Sequence, residues 1–181
     1  KPDGKSPHDR VARMHRRLIG GVSENLYSQD RFRKDPAALA AEMVERWMGS
    51  PPHRKNILSS PSTHLGVCVL QQGTGLRATQ MFARVVGYLT PPLPHTAARG
   101  SVLAVSVEAA GASSPNIARY DFWDPRTNRR ISDPALFVDS LRVPDTTGTL
   151  RPRFYTVGAG EYVLYRGPDL TIVNAPTSPS R

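Results

Sequence analysis

Apolar positions recur at helical spacing early in the chain and at alternating spacing later. Ser6-Pro7-His8-Asp9 supplies a capping serine, a first-turn proline and a returning carboxylate. Val11, Met14 and Leu18 then lie on one helical face, so a helix is predicted that ends at Gly20-Gly21. A second helix is predicted from Asp35-Pro36 through Leu39, Met43, Val44, Trp47 and Met48 to Gly49-Ser50. Ser50-Pro51 opens a short third one ending near Leu58. Two strands follow, His64 to Gln71 and Leu76 to Leu89, around a Gly73-Thr74-Gly75 turn.

Thr90-Pro91-Pro92-Leu93-Pro94 interrupts this pattern with a stiff extended segment. Beyond it, short alternating runs appear at Val102–Val107, Ala118–Trp123, Leu136–Val143, Arg153–Val157, Glu161–Arg166 and Leu170–Asn174. Turn signals separate them at Asp124-Pro125, Pro144-Asp145, Gly158-Ala159-Gly160 and Gly167-Pro168, and residues 176–181 read as a frayed tail. The expected organisation is α+β: a helix-rich domain over residues 1–90, then a small antiparallel β-sandwich over 91–181.

Composition narrows the function classes. No apolar run approaches the ~20 residues of a membrane-spanning helix. The single cysteine, Cys68, excludes an intrachain disulfide framework and a cysteine-rich zinc site. Of the net charge of +9, residues 1–60 hold +5, from 12 basic and 7 acidic side chains. A basic front end favours an anionic lipid or envelope polymer. Nucleic acid is not expected, because the basic residues alternate with acids and no basic block carries stacking aromatics.

Candidate chemistry concentrates in the first half. Ser23-Glu24-Asn25 supplies a carboxylate, and Ser50-Pro51-Pro52-His53-Arg54-Lys55-Asn56-Ile57-Leu58 places His53 and Asn56 one helical turn apart. Thr63-His64-Leu65-Gly66-Val67 opens one strand and Thr79-Gln80-Met81-Phe82 lies in the next. A carboxylate, an imidazole and an amide in one cleft can bind a divalent metal or act as an acid/base pair. The same residue types also serve as hydrogen-bonded struts. That structural reading is the simpler one for His64 at a strand start and for Glu45 on a solvated helix face. Gln80 faces either the cleft or a buried polar contact. Cys68, between Val67 and Val69, reads as a buried small hydrophobe. Tyr120 and Trp123 read as core aromatics of the second half, although either can line a groove.

In order, Ser-Glu-Asn, a Trp-bearing helix leading into Ser-Pro-x-His-Arg-x-Asn-Ile-Leu, Thr-His-x-Gly-Val-x-Val and Thr-Gln-x-Phe resemble the CAP superfamily. That superfamily comprises the cysteine-rich secretory, antigen 5 and pathogenesis-related proteins. The bacterial, secreted, disulfide-free branch is the most similar, over residues 1–90. The resemblance implies an α-β-α sandwich, here N-terminally truncated and lacking the usual first helix, with a surface cleft that in the wider family holds two His and two Glu. Glu24 matches the family's Gly-Glu-Asn glutamate, one of these four positions, and His53 matches the bacterial histidine of Ser-Pro-Gly-His-Arg. Ser50 and Arg77 stand where two further ligands are usual, and the remaining His is expected upstream of Asp3-Gly4, with His8 a poor substitute. Zinc binding by this chain is therefore expected to be weak or absent. The expected function is a secreted or periplasmic binding module at the cell envelope, for lipid or an anionic polymer. Its cleft would be lined by Glu24, His53, Asn56, His64 and Gln80. The alternative is a hydrolase using Glu24 and His53, with or without metal, although no Gly-x-Ser-x-Gly or His-Glu-x-x-His motif is present.

Overall fold

The computed structural model describes residues 4–31, 35–111, 115–158 and 161–175. The Ala159-Gly160 part of a predicted turn and the predicted tail at 176–181 lie outside them. The first half comprises Pro7–Met14 (α1), Leu18–Gln29 (β1), Pro36–Gly49 (α2), Pro51–Ile57 (α3), His64–Gln72 (β2) and Gly75–Thr90 (β3). Then come Thr96–Ala98 (β4), Val102–Ala104 (β5), Ser106–Ala109 (β6), Ile117–Asp124 (β7) and Arg129–Arg130 (β8). The last strands are Ala135–Leu136 (β9), Ser140–Arg142 (β10), Gly148–Gly158 (β11), Glu161–Arg166 (β12) and Leu170–Val173 (β13). Among the described residues, mostly antiparallel sheet with three helices agrees with the α+β expectation.

The second and third helices, each opened by proline, lie where predicted, with Asp35 accepting from the amides of Ala37 and Ala38. The first helix is shorter than its apolar spacing suggests. Ser6 and Asp9 form a full capping box, but the helix ends at Met14 and Leu18 already begins β1. The carbonyls of Arg16 and Arg17 accept from the amides of Leu93 and Leu89, at 3.1 and 2.7 Å. Tertiary pairing thus draws residues 16–17 out of the helix. Its buried face is His8 and Ala12, while Met14 is 81% exposed.

The chain forms two compact units, residues 1–21 with 85–181, and residues 22–84. The proline run at 91–94 is therefore not where the structure divides. Leu93 is buried in the same core as Ile19, Leu89 and Phe154, and Arg16 donates to the Leu93 carbonyl at 3.0 Å. In this larger unit β11 is central. It pairs with β7 on one side and with β12 and then β13 on the other. Phe122 of β7, Phe154 of β11 and Leu170 of β13 are fully buried there. The antiparallel pairing expected of this half is corrected at one place, where β13 and β4 run parallel. The predicted strand Leu136–Val143 is also divided, β9 pairing with β7 and β10 with β5.

Ion pairs inside this unit join the two ends of the chain. Arg151 on β11 donates to Asp9 of α1 at 2.6 Å and to Asp169 at 2.7 Å, and its side chain is nearly buried. Fully buried Asp121 receives Arg153, the Tyr155 hydroxyl at 2.7 Å and Arg130 at 3.2 Å, while Arg153 lies 3.9 Å from the Trp123 ring centroid. His8 Nε2 donates to the Gly167 carbonyl at 3.3 Å, and its Nδ1 is buried without a partner. Gly167 is fixed by crowding, since a Cβ there would stand 2.8 Å from the Phe154 ring.

The 22–84 unit is a sheet in the order β2-β3-β1 with helices on one face. Leu39, Met43 and Trp47 of α2 pack on Tyr27 of β1 and on Leu76 and Ala78 of β3. A second helical layer, expected of an α-β-α sandwich, is not found among the described residues of this unit.

Arg151→Ala should destabilise the larger unit by about 3 kcal/mol, because it strands two carboxylates beside a core, and denaturant unfolding of the whole chain measures this.

Acid should weaken the same unit in two stages. Burial holds the His8 imidazole below its ordinary value, with Arg151 and Arg166 adding to the effect against the bond to Gly167 and the charge of Asp9. The native ring is therefore neutral, and the unfolded chain gains its proton first as pH falls through about 6.5. Stability present above that pH is lost below it, down to the lower folded value. Asp9 follows at more acid pH. Burial alone would raise its carboxyl, but the bonds from Ser6 and Arg151 prevail and hold it low. Its contribution is lost as pH falls through that lowered value. His8→Gln should flatten the first stage in a pH series of melting temperatures and leave the second.

Candidate functional site

Residues 22–84 bring most of the predicted site residues together, and Asn25 is the residue that joins them. On β1, alternation turns Asn25 and Tyr27 to the helix-covered face. Asn25 is fully buried, so each of its polar atoms requires a partner. Its Nδ2 donates to the main-chain carbonyl of His53 at 3.1 Å and to Gln80 Oε1 at 3.2 Å. Its Oδ1 accepts from Asn56 Nδ2 at 2.9 Å, and Asn56 Nδ2 also donates to the Glu24 carbonyl at 3.2 Å. These bonds hold α3 to β1 and β3.

Polar anchoring suits α3, since it is seven residues long and buries no side chain. Beside it, Trp47 Nε1 donates to the Leu26 carbonyl at 3.0 Å, and the Trp47 and Tyr27 rings meet edge to face. Glu24 and His53 are both half-buried at this junction, and the bonds that tie their segments run through their main chains. Asn25 received no role in the sequence reading. A polar residue in phase with Tyr27 along a strand was the available signal.

The other predicted residues have different surroundings. Gln80 makes the polar contact to Asn25, the second of its two readings. His64 is exposed on β2, with Nδ1 2.8 Å from Thr63 Oγ1. Since Thr63 gives its hydroxyl hydrogen to the Ala83 carbonyl, the His64 Nδ1–H is the donor in that pair. Arg77 is paired with Asp30 at 2.9 Å, and Ser50 begins α3. Cys68, expected to be buried, is exposed. Tyr120 packs in the core, as the aromatic pattern predicts.

The donor set around Glu24 does not fit a stable zinc site. Three or four ligands are needed, and the amides of Asn25, Asn56 and Gln80 are engaged with one another. Among the described residues, no group of three or more His, Cys, Asp or Glu stands together.

A second candidate lies in the larger unit, which the sequence reading passed over. A cavity of about 380 Å³ is lined by Lys5, Arg10, Arg13 and Arg16 together with His95, Asp9 and Asp169. Both carboxylates are held by Arg151, so among the described residues of the lining positive charge is in excess. Arg16 spends two N–H groups on the Leu93 and Pro94 carbonyls. Burial pushes its guanidinium down, against the more distant pull of Asp169. The available signal was the three-residue spacing of Arg10, Arg13 and Arg16, a run with no acid inside it.

Residues 1–85 match the model of the CAP family, described as the cysteine-rich secretory protein family. No curated protein and no solved structure gives a significant match. The matched segment includes Glu24, Asn25, His53, Asn56, His64 and Gln80, and it also includes the four cations of the basic cavity.

Asn25→Asp should test the junction. An isosteric carboxylate would face two acceptors, His53 O and Gln80 Oε1, with no hydrogen to give. A loss of about 3 kcal/mol is expected in denaturant unfolding, with earlier proteolysis around residues 50–60.

Proposed function

Residues 1–85 of this chain belong to the CAP family, and we propose that the chain is a secreted binding module whose partner at the cell envelope is a polyanion. The basic cavity carries this reading. Four cations border a hollow large enough for one or two oxyanion groups, and among the described residues the carboxylates lining it, Asp9 and Asp169, are held by Arg151. Phosphate and carboxylate groups are the ligands that clustered guanidinium groups recognise. An anionic lipid headgroup and an anionic polymer share this chemistry. The family's description as secretory proteins supports a location outside the cell.

In this reading the junction of Glu24 and His53 with Asn25 and Asn56 positions α3, and its half-buried carboxylate and imidazole serve binding rather than cleavage. Zinc is not part of it, because the neighbouring polar side chains are amides already bonded to each other.

Binding to vesicles rich in phosphatidylglycerol and to soluble polyphosphate, each against a neutral control, tests the proposal. Retention on both anions, weakening steeply as salt rises, is expected. Arg13→Glu should lower affinity at least about tenfold, the equivalent of about 1.4 kcal/mol, since it replaces an exposed cation of the lining by an anion. Binding to the vesicles alone would identify a lipid surface, and to the polymer alone a soluble polyanion. Equal binding to charged and neutral probes, or no effect of Arg13→Glu, would overturn the reading.

A further inference from the structure

β2 is an edge strand with no feature that prevents pairing. It bonds to β3 over nine consecutive residue pairs, His64↔Ala83 to Gln72↔Gly75, with no bulge. Among the described residues it has no partner on its other edge. Edge strands are ordinarily protected by charge, proline, a bulge or brevity. The sequence His64-Leu65-Gly66-Val67-Cys68-Val69-Leu70-Gln71-Gln72 contains no proline and no Lys, Arg, Asp or Glu. All nine residues are exposed, with Leu65, Val67 and Val69 at 58, 61 and 52%.

Register shows what this apolar row belongs to. Leu65, Val67 and Val69 stand opposite Phe82, Gln80 and Ala78 of β3, so they share the face that α2 and α3 cover farther into the sheet. The row extends the buried face past the edge of its helical cover. Gly66, Cys68 and Leu70 point to the other side.

We infer that two copies of this chain pair along β2, antiparallel about a two-fold axis at Cys68. Cys68 is the midpoint of the strand, so the pairing uses its whole length. Val67 of each copy then stands opposite Val69 of the other, Leu65 opposite Gln71, and Gly66 opposite Leu70. Four valines close into one apolar patch beside the helical layer. A nine-residue ladder also supplies about eight to ten main-chain hydrogen bonds, close to the ten or so of a standard interface. Electrostatics favour this edge as the meeting place, since two chains of net charge +9 approach with least repulsion along a strand that carries none.

The axis also brings the single cysteine of each copy face to face. Residues directly opposite in an antiparallel pair have Cα atoms about 4.5 or 5.5 Å apart, within the range a disulfide spans. With a small disulfide as oxidant, one Cys68 thiolate displaces a thiol and forms a mixed disulfide. The second Cys68 thiolate then displaces the other thiol, leaving the two chains linked and the oxidant reduced to two thiols.

Sedimentation velocity on the reduced full chain should show a monomer–dimer equilibrium that higher salt strengthens. Cys68→Ser should keep it, and Val67→Lys should weaken it at least about tenfold by placing four-carbon cations across the axis. Val67 is exposed, so unchanged circular dichroism of that variant is expected. Oxidised glutathione should convert the native chain to a covalent dimer. Moving the thiol with Cys68→Ser and Leu70→Cys separates the two sulfurs by about four residues, or roughly 13 Å, and should slow cross-linking at least about tenfold. A monomer at every concentration, equal cross-linking from position 70, or self-association indifferent to Val67→Lys would overturn the inference. Amide exchange across β2 that slows as concentration rises would support it without any variant.

Discussion

The larger unit depends on Arg151. One guanidinium, nearly buried on the central strand β11, receives a carboxylate from the first helix and another from the segment before the last strand. Neither acid could lie beside that core without it, and the cation could not be buried there without them. The pairing holds α1 to a sheet built from residues more than a hundred positions away. It accounts for the first 21 residues folding with 85–181 rather than with the residues that follow them. His8, in the first turn of the same helix and bonded to the Gly167 carbonyl, adds a neutral contact beside the charged one.

A different device organises residues 22–84. Asn25 is uncharged, and its amide supplies donors and an acceptor at once, so one buried side chain satisfies a helix backbone and two other amides. The cost of burying it is met only when α3, β1 and β3 are all in place. Loss of any one leaves a polar atom without a partner in the interior. The helix that carries His53 is thereby positioned by hydrogen bonds rather than by a hydrophobic face, which it lacks.

Positive charge and apolar surface concentrate in different units of this chain. Lys5, Arg10, Arg13 and Arg16 gather around one cavity in the larger unit, while β2 in the other unit carries no charge along nine residues. The first arrangement suits a ligand rich in oxyanions, and the second suits a strand of matching neutrality. Neither requires the Glu24–His53 junction to perform chemistry.

Much of the local structure was legible in the sequence, because it depends on neighbours a few residues apart. Ser6 and Asp35 with their prolines mark helix starts, Gly73-Thr74 marks the turn between β2 and β3, and alternation marks most later strands. The order of Ser-Glu-Asn, Ser-Pro-x-His-Arg, Thr-His-x-Gly and Thr-Gln was enough for the family resemblance. Long-range competition decided the rest. Leu18 continues a helical apolar spacing, yet the amides of Leu89 and Leu93 claim the carbonyls at 16–17 and turn Leu18 into a strand. Cys68 alternates like a core residue, but burial also requires cover, and Cys68 points to the face of the sheet opposite α2 and α3, where it is exposed. Proline at 91–94 signals stiffness and not separation, since Leu93 is buried between residues on either side of it. Spacing along a chain fixes which way a side chain points from its own strand or helix, and only the packed structure decides what it meets there.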